Sequence, residues 1–172
     1  MSKLFGPALF GLLLAAASHF SVVHFAPGFI MDRAMSMLEG RGAELHKFHL
    51  AERTTPQSQS VVRASPDLAY SVCLFDFDQA GSELWVKMAA TEDYASLSFF
   101  DDQTNNFKTI RGEGQGIAVK LLSPEMPAKN ENSLVSPSMK GLILIRRLAP
   151  TVEDYRRVSA IAENDSCRSV DG

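Results

Sequence analysis

The sequence predicts a mainly β fold of the α+β kind. It reads as a β-sandwich or jelly-roll-like domain behind an N-terminal transmembrane helix and ahead of a C-terminal helix. Three observations predict it. No Asp, Glu, Lys or Arg occurs from Leu4 to Met31. From about Val61 the chain turns to short apolar or alternating runs punctuated by turn-forming residues, the signature of successive strands. Near the end, Thr151 followed by Glu153 and Asp154 has the form of a helix start.

The first element is the apolar run. Residues 9–17 read LFGLLLAAA, and Leu4 to Ala26 exceeds the ~20 apolar residues that a membrane-spanning helix needs. Lys3 and the amino terminus lie on one side, while Asp32 and Arg33 cancel on the other. That bias favours a cytoplasmic N-terminus. Ala15-Ala16-Ala17 also has the small-residue pattern of a cleaved signal peptide. The apolar stretch continues through Phe20, Val22, Val23 and Phe25, past a normal signal core, so an anchor is preferred. Either reading delivers the remainder across the membrane.

Pro27-Gly28 is expected to break this helix. Phe29 to Glu39 then reads as a short amphipathic helix, with Ile30, Ala34, Met37 and Leu38 at helical spacing and Gly40 and Gly42 as its stop. Thr54 to Ser60 is a polar linker. The expected organisation is therefore an anchor over 1–31, helix and linker over 32–60, and a β-rich domain over 61–172. Asp67–Asp78 is apolar on both alternating faces, so that strand is expected to be covered on both sides. Further strands are expected at Glu83–Ala90, Tyr94–Phe100, Phe107–Arg111, Ile117–Leu122 and Met139–Leu148. Gly112-Glu113-Gly114-Gln115-Gly116 reads as a hairpin turn or bulge. No helix follows it, so it is no phosphate-cradling loop. The last helix runs from Thr151 to about Glu163, with Tyr155, Val158 and Ile161 on one face.

Composition excludes several functions. The 172 residues carry 17 basic and 20 acidic side chains, a net charge of -3, and the basic residues never cluster beyond a pair. A nucleic-acid binder needs a basic stripe to displace counterions, so no nucleic-acid partner is expected. All four histidines, His19, His24, His46 and His49, precede the strand region. A Ser–His–Asp or Cys–His site needs an imidazole beside the nucleophile. One could form only if the Ser36–Leu50 segment folded back over the domain. Catalytic residues, metal ligands and cofactors are accordingly assigned as none. His19 and His24 lie inside the span, where ionisable groups are rare. Five residues apart, they diverge by ~140° on an ideal helix, so one straight helix cannot aim both at one metal.

Several side chains remain as candidates. Asp76 and Asp101 end strands, where aspartates commonly accept hydrogen bonds from turn amides. Arg146 sits in the otherwise apolar strand Leu142–Leu148. A buried arginine needs an acidic partner, so Asp76 or Asp101 is expected to pair with it. Tyr70, Trp85 and Tyr94 are candidate pocket aromatics, although core packing is the commoner fate of such residues. Cys73 lies mid-strand and Cys167 follows the last helix. In an oxidising compartment they are expected to pair and pin the C-terminal tail to the sheet.

An ordered set of short elements carries a resemblance. They are Ser65-Pro66-Asp67, Tyr70-Ser71, Phe75-Asp76-Phe77, Tyr94-Ala95-Ser96-Leu97, Asp101, Thr104-Asn105-Asn106-Phe107, Gly112 and Ile145-Arg146. In order and spacing, Ser65 to Val158 resembles the bacterial domain of unknown function numbered 1254. It is similar to the short, single-span members of that family, an anchor plus this one domain; longer members carry a partner domain after it. The resemblance implies a β-rich domain facing the periplasm from the bacterial inner membrane, and no established catalytic residue. The expected role is a non-catalytic accessory or interaction subunit of an envelope assembly. Its partners would be membrane lipid, through the helix, and other membrane-protein subunits. The alternative is a small-molecule or lipid-binding enzyme with a cleft formed by Asp76, Asp101 and Arg146.

Overall fold

The apolar N-terminal run forms a single helix, α1, over Phe5–Glu39 in the computed structural model, which describes residues 5–55, 64–128, 130 and 132–170. The expected break at Pro27-Gly28 does not occur: Pro27 lies inside the helix. An interior proline removes one main-chain hydrogen bond and costs about 3 kcal/mol. Downstream, Met31 and Met35 are buried against the domain, and burying each such side chain contributes about 1.5–3 kcal/mol. Packing thus offsets the proline. The helix ends where the glycines predict it. Gly42 takes φ 94°, its N–H bonds the Glu39 carbonyl, and the Ala43 N–H bonds the Leu38 carbonyl. That is a Schellman closure with glycine at its left-handed position.

Nine strands follow among the described residues. β1 (His49–Leu50), β2 (Leu68–Asp76), β8 (Lys140–Leu148), β4 (Ala95–Phe100) and β5 (Asn106–Gly112) form a first, antiparallel sheet in the order β1-β2-β8-β4-β5. β7 (Ser133–Val135), β6 (Ile117–Leu122), β3 (Glu83–Met88) and β9 (Ser166–Ser169) form a second, in which only β6–β7 is parallel. A one-turn helix α2 (Phe77–Ala80) joins β2 to β3, and α3 (Val152–Ala162) joins β8 to β9. The fold is α+β, with two mostly antiparallel sheets. The glycine-rich segment after β5 carries the chain from the first sheet to the second, so it is not the hairpin that its composition suggests.

The core explains why the strands read as they do. Cys73 and Phe75 of β2, Ile143 and Ile145 of β8, and Leu97 and Phe99 of β4 meet Leu84, Val86, Met88, Val119 and Leu121 of the second sheet in one buried cluster. Alternate residues of the first sheet face outward, and part of that outer face is covered too. Val72 and Leu74, with Leu142, Leu144 and Phe100, pack under Met31, Met35 and Leu38 of α1. This is the double covering that the apolar character of both faces of β2 predicts. At the other end, Val158 and Tyr155 of α3 pack on Ala69, Ala149 and Leu50. The helix starts as its sequence indicates: Thr151 Oγ1 accepts the Asp154 N–H, and Asp154 returns the bond to the Thr151 N–H, a capping box.

Of the Thr54–Ser60 linker, Thr54 and Thr55 have no regular structure; the rest lies outside the described residues.

Candidate functional site

Two features set this domain apart from a simple β core: the bare upper part of α1 and the clamp that holds the chain's last segment. In α1 the most apolar window has a mean hydropathy of 1.7 and none of it is buried in the protein. By length and composition it is the one helix among the described residues able to cross a membrane. Leu12, Leu13, Phe20, Phe25 and Phe29 all stand exposed. At ~1.5 Å per residue the helix is ~50 Å long, against a hydrocarbon thickness of ~30 Å. The surplus is the stretch that docks. Gly28 lets the Gln103 side chain approach to a distance that no Cβ would allow, and Lys140 Nζ meets Asp32 Oδ1 at 2.7 Å. That hydrogen bond holds the Lys140 pKa above its ordinary 10.5, against the opposing effect of partial burial.

The clamp lies at the other end of the core. Arg147 Nη1 and Nη2 donate to the two oxygens of Asp165 at 2.8 and 2.7 Å, and Nη2 also reaches the Ala89 carbonyl at 3.2 Å. Asp165 Oδ1 accepts the Ala89 N–H at 2.9 Å. The side chains are 1% and 0% exposed. Two residues on, Cys167 of β9 is disulfide-bonded to Cys73 of β2. The expected pairing is therefore present, and it joins the two sheets.

The other predicted site residues do not converge. Asp76 Oδ1 accepts the Asp78 N–H and Oδ2 the Gln79 side chain, capping α2. Asp101 Oδ1 accepts the amides of Gln103 and Asn105, and Oδ2 the Asn105 side chain. Both carboxylates hold turns. Neither pairs with Arg146, so that expectation is corrected: the buried, ion-paired arginine is its neighbour Arg147. Ile143, Ile145 and Arg147 share the inward face of β8, and Arg146 points the other way. Tyr70 and Tyr94 attach to the first sheet, whereas Trp85 lies on the outer face of the second, between Lys120 and Arg168 in register. The three aromatics share no pocket. A shallow, open depression of about 550 Å³ lies instead beside Asp93 and Arg157, which form a 2.9 Å ion pair.

The segment before the linker does fold back over the domain. The His46 amide bonds the Leu74 carbonyl, and Nε2 sits against the Asp76 main chain, 3.1 Å from its amide nitrogen. The imidazole is thus engaged with backbone rather than with a nucleophile. Among the described residues no three His, Cys, Asp or Glu side chains gather as a metal site would require.

A family model described as "Protein of unknown function (DUF1254)" matches residues 46–169. The chain belongs to the DUF1254 family. The match begins at His46, so the DUF1254 domain takes in the β1 segment that lies upstream of the expected linker. The fold is similar to that of the VPA0106 protein from Vibrio parahaemolyticus, at 12% identity and a TM-score of 0.60, over 85% of this chain and 36% of that one. A putative uncharacterized protein from Burkholderia cenocepacia matches at 13% identity and a TM-score of 0.47, over 63% of this chain and 32% of that one. The DUF1254 chain thus spans about a third of the length of these solved structures. No curated protein matches it.

Proposed function

We propose that this DUF1254 protein is a single-pass inner-membrane protein that presents its β-rich domain in the periplasm as a non-catalytic accessory or interaction subunit of an envelope assembly. One observation carries the reading: the exposed apolar length of α1 runs without interruption into a segment docked on the domain. Cleavage after Ala17 would spare the seat of Met31, Met35 and Leu38 but cut through the single helix Phe5–Glu39 that carries it. An anchor that holds a domain at a set position keeps that helix whole. The Cys73–Cys167 disulfide supports an oxidising compartment. The carboxylate turns around Asp76 and Asp101 give the alternative enzyme reading no cleft.

Topology reporters fused after Val170 test the compartment. A reporter that matures only in the periplasm is expected to be active, and the chain to stay with membranes after alkaline washing. Activity of a cytosolic reporter alone would overturn the reading. The accessory role is tested by replacing residues 5–26 with a cleavable signal. The released domain should fold with its disulfide intact and fail to complement a deletion strain. Full complementation by the released domain would remove any need for the membrane.

A further inference from the structure

We infer that the outer face of the first sheet, beyond the reach of α1, binds an oxyanion, a carboxylate or phosphate group, between Arg146 and Arg111. The inference goes beyond the membrane role and does not depend on it. Cross-strand register sets Tyr70 beside Arg146, Arg146 beside Ser96, and Ser96 beside Arg111. Register partners project to the same side of a sheet, so β2, β8, β4 and β5 present Tyr, Arg, Ser and Arg in one transverse row. Adjacent strands lie ~4.8 Å apart, which puts the two arginines ~10 Å apart at the backbone. Their long side chains can converge above the serine between them.

The hydrogen-bond inventory of this row is unbalanced, and its sign is consistent. Arg146 Nε is buried and has no acceptor. Among the described residues neither Arg146 nor Arg111 has an ion pair with a carboxylate. Ser96 is 1% exposed, and its Oγ accepts from the Tyr94 hydroxyl, leaving its own proton to donate. Tyr70 Oη accepts the Ser65 N–H, leaving its proton likewise. The neighbouring row differs: Ser98 and Thr109 bond each other at 3.0 Å, and Thr109 passes a proton to Asn106. In the Arg146 row every spare group is a donor. The four strands contain no Glu, and their single Asp, Asp76, lies at the far end capping α2. A buried donor without an acceptor is costly. Two guanidinium forks flanking a hydroxyl match the planar or tetrahedral oxygens of a carboxylate or phosphate.

The test uses the full chain in detergent micelles, titrated calorimetrically with inorganic phosphate, citrate and glycerol phosphate, the last standing in for a lipid headgroup. Saturable binding of at least one is expected. Preference for glycerol phosphate would assign the site to a headgroup, and preference for citrate or phosphate to a free anion. Losing one charge-assisted contact should weaken binding roughly ten- to hundredfold, so Arg146→Gln and Arg111→Gln should each do so. Arg111 is exposed, and its variant reads out the site even if Arg146→Gln perturbs folding. Lys87→Gln, on the second sheet, should bind as the wild type does. Absence of saturable binding to all three probes, or unchanged affinity in the Arg111 variant, would overturn the assignment.

Discussion

Replacing Asp165 with alanine is the most informative perturbation of the fold. The carboxylate satisfies two Arg147 donors and the Ala89 N–H, in a place where neither Arg147 nor Asp165 sees appreciable solvent. In the variant, Arg147 keeps only the Ala89 carbonyl at 3.2 Å and becomes a buried, uncompensated charge. Breaking a buried pair in this way costs about 3–5 kcal/mol, and an orphaned amide costs about 1 kcal/mol or more. Domains of this size have only about 5–15 kcal/mol in total. A loss of ~4 kcal/mol should lower the melting temperature by roughly 10–20 °C. Urea unfolding of Asp165→Ala, Arg147→Met and the double variant, all with the disulfide intact, measures it. The double variant should be more stable than the sum of the single losses predicts, with a coupling above ~2 kcal/mol. A single-variant loss under ~1 kcal/mol, or additive effects, would refute the claim that this pair locks the C-terminal segment.

Three further outcomes are expected. Cys73→Ser with Cys167→Ser opens a link of sequence separation 94 and should destabilise the chain by about 2–5 kcal/mol, read as a lower urea midpoint relative to the oxidised wild type. Burial, with a smaller contribution from Glu52, raises the Tyr155 pKa above its ordinary 10.0, and its hydroxyl donates to the Ala51 carbonyl at 2.7 Å. Its contribution to stability should be complete below pH 10.0 and fade as pH rises through the higher folded value, whereas Tyr155→Phe should lose that part of the alkaline dependence. Gly141→Ala should destabilise by about 1–3 kcal/mol or more, because a methyl group would collide with the Phe100 carbonyl and come within 2.8 Å of the Phe75 ring. A melting temperature within a degree of wild type would contradict that packing.

How much of this was legible in the sequence depends on local redundancy. The six longer strands and α3 announce themselves because each carries its own periodicity or cap, as Thr151 and Asp154 do. β1, β7 and β9 have two, three and four residues; they are strands only by virtue of the partners they meet. The disulfide was accessible because a two-cysteine chain offers one pairing. The arginines were not. Leu142 to Ile145 is apolar at every position, so nothing in β8 indicates which parity faces inward, and a one-residue shift exchanges Arg146 for Arg147. Asp165 then gave no sign of its role, because its partner lies 18 positions away across a helix. Pro27 misled for a related reason. Its local cost was visible, and the burial of Met31 and Met35 that offsets it was not.

The unbroken α1 has a mechanical consequence. Successive residues of a helix turn by ~100°, so the bearing of every side chain in the span is phased to the seat of Met31 and Met35. On an ideal helix His24 falls within ~20° of those two methionines, while His19 falls well away from them. The docked and the exposed parts of α1 therefore share one helical phase. Whatever grips the exposed apolar side of this rod also decides which way the domain looks.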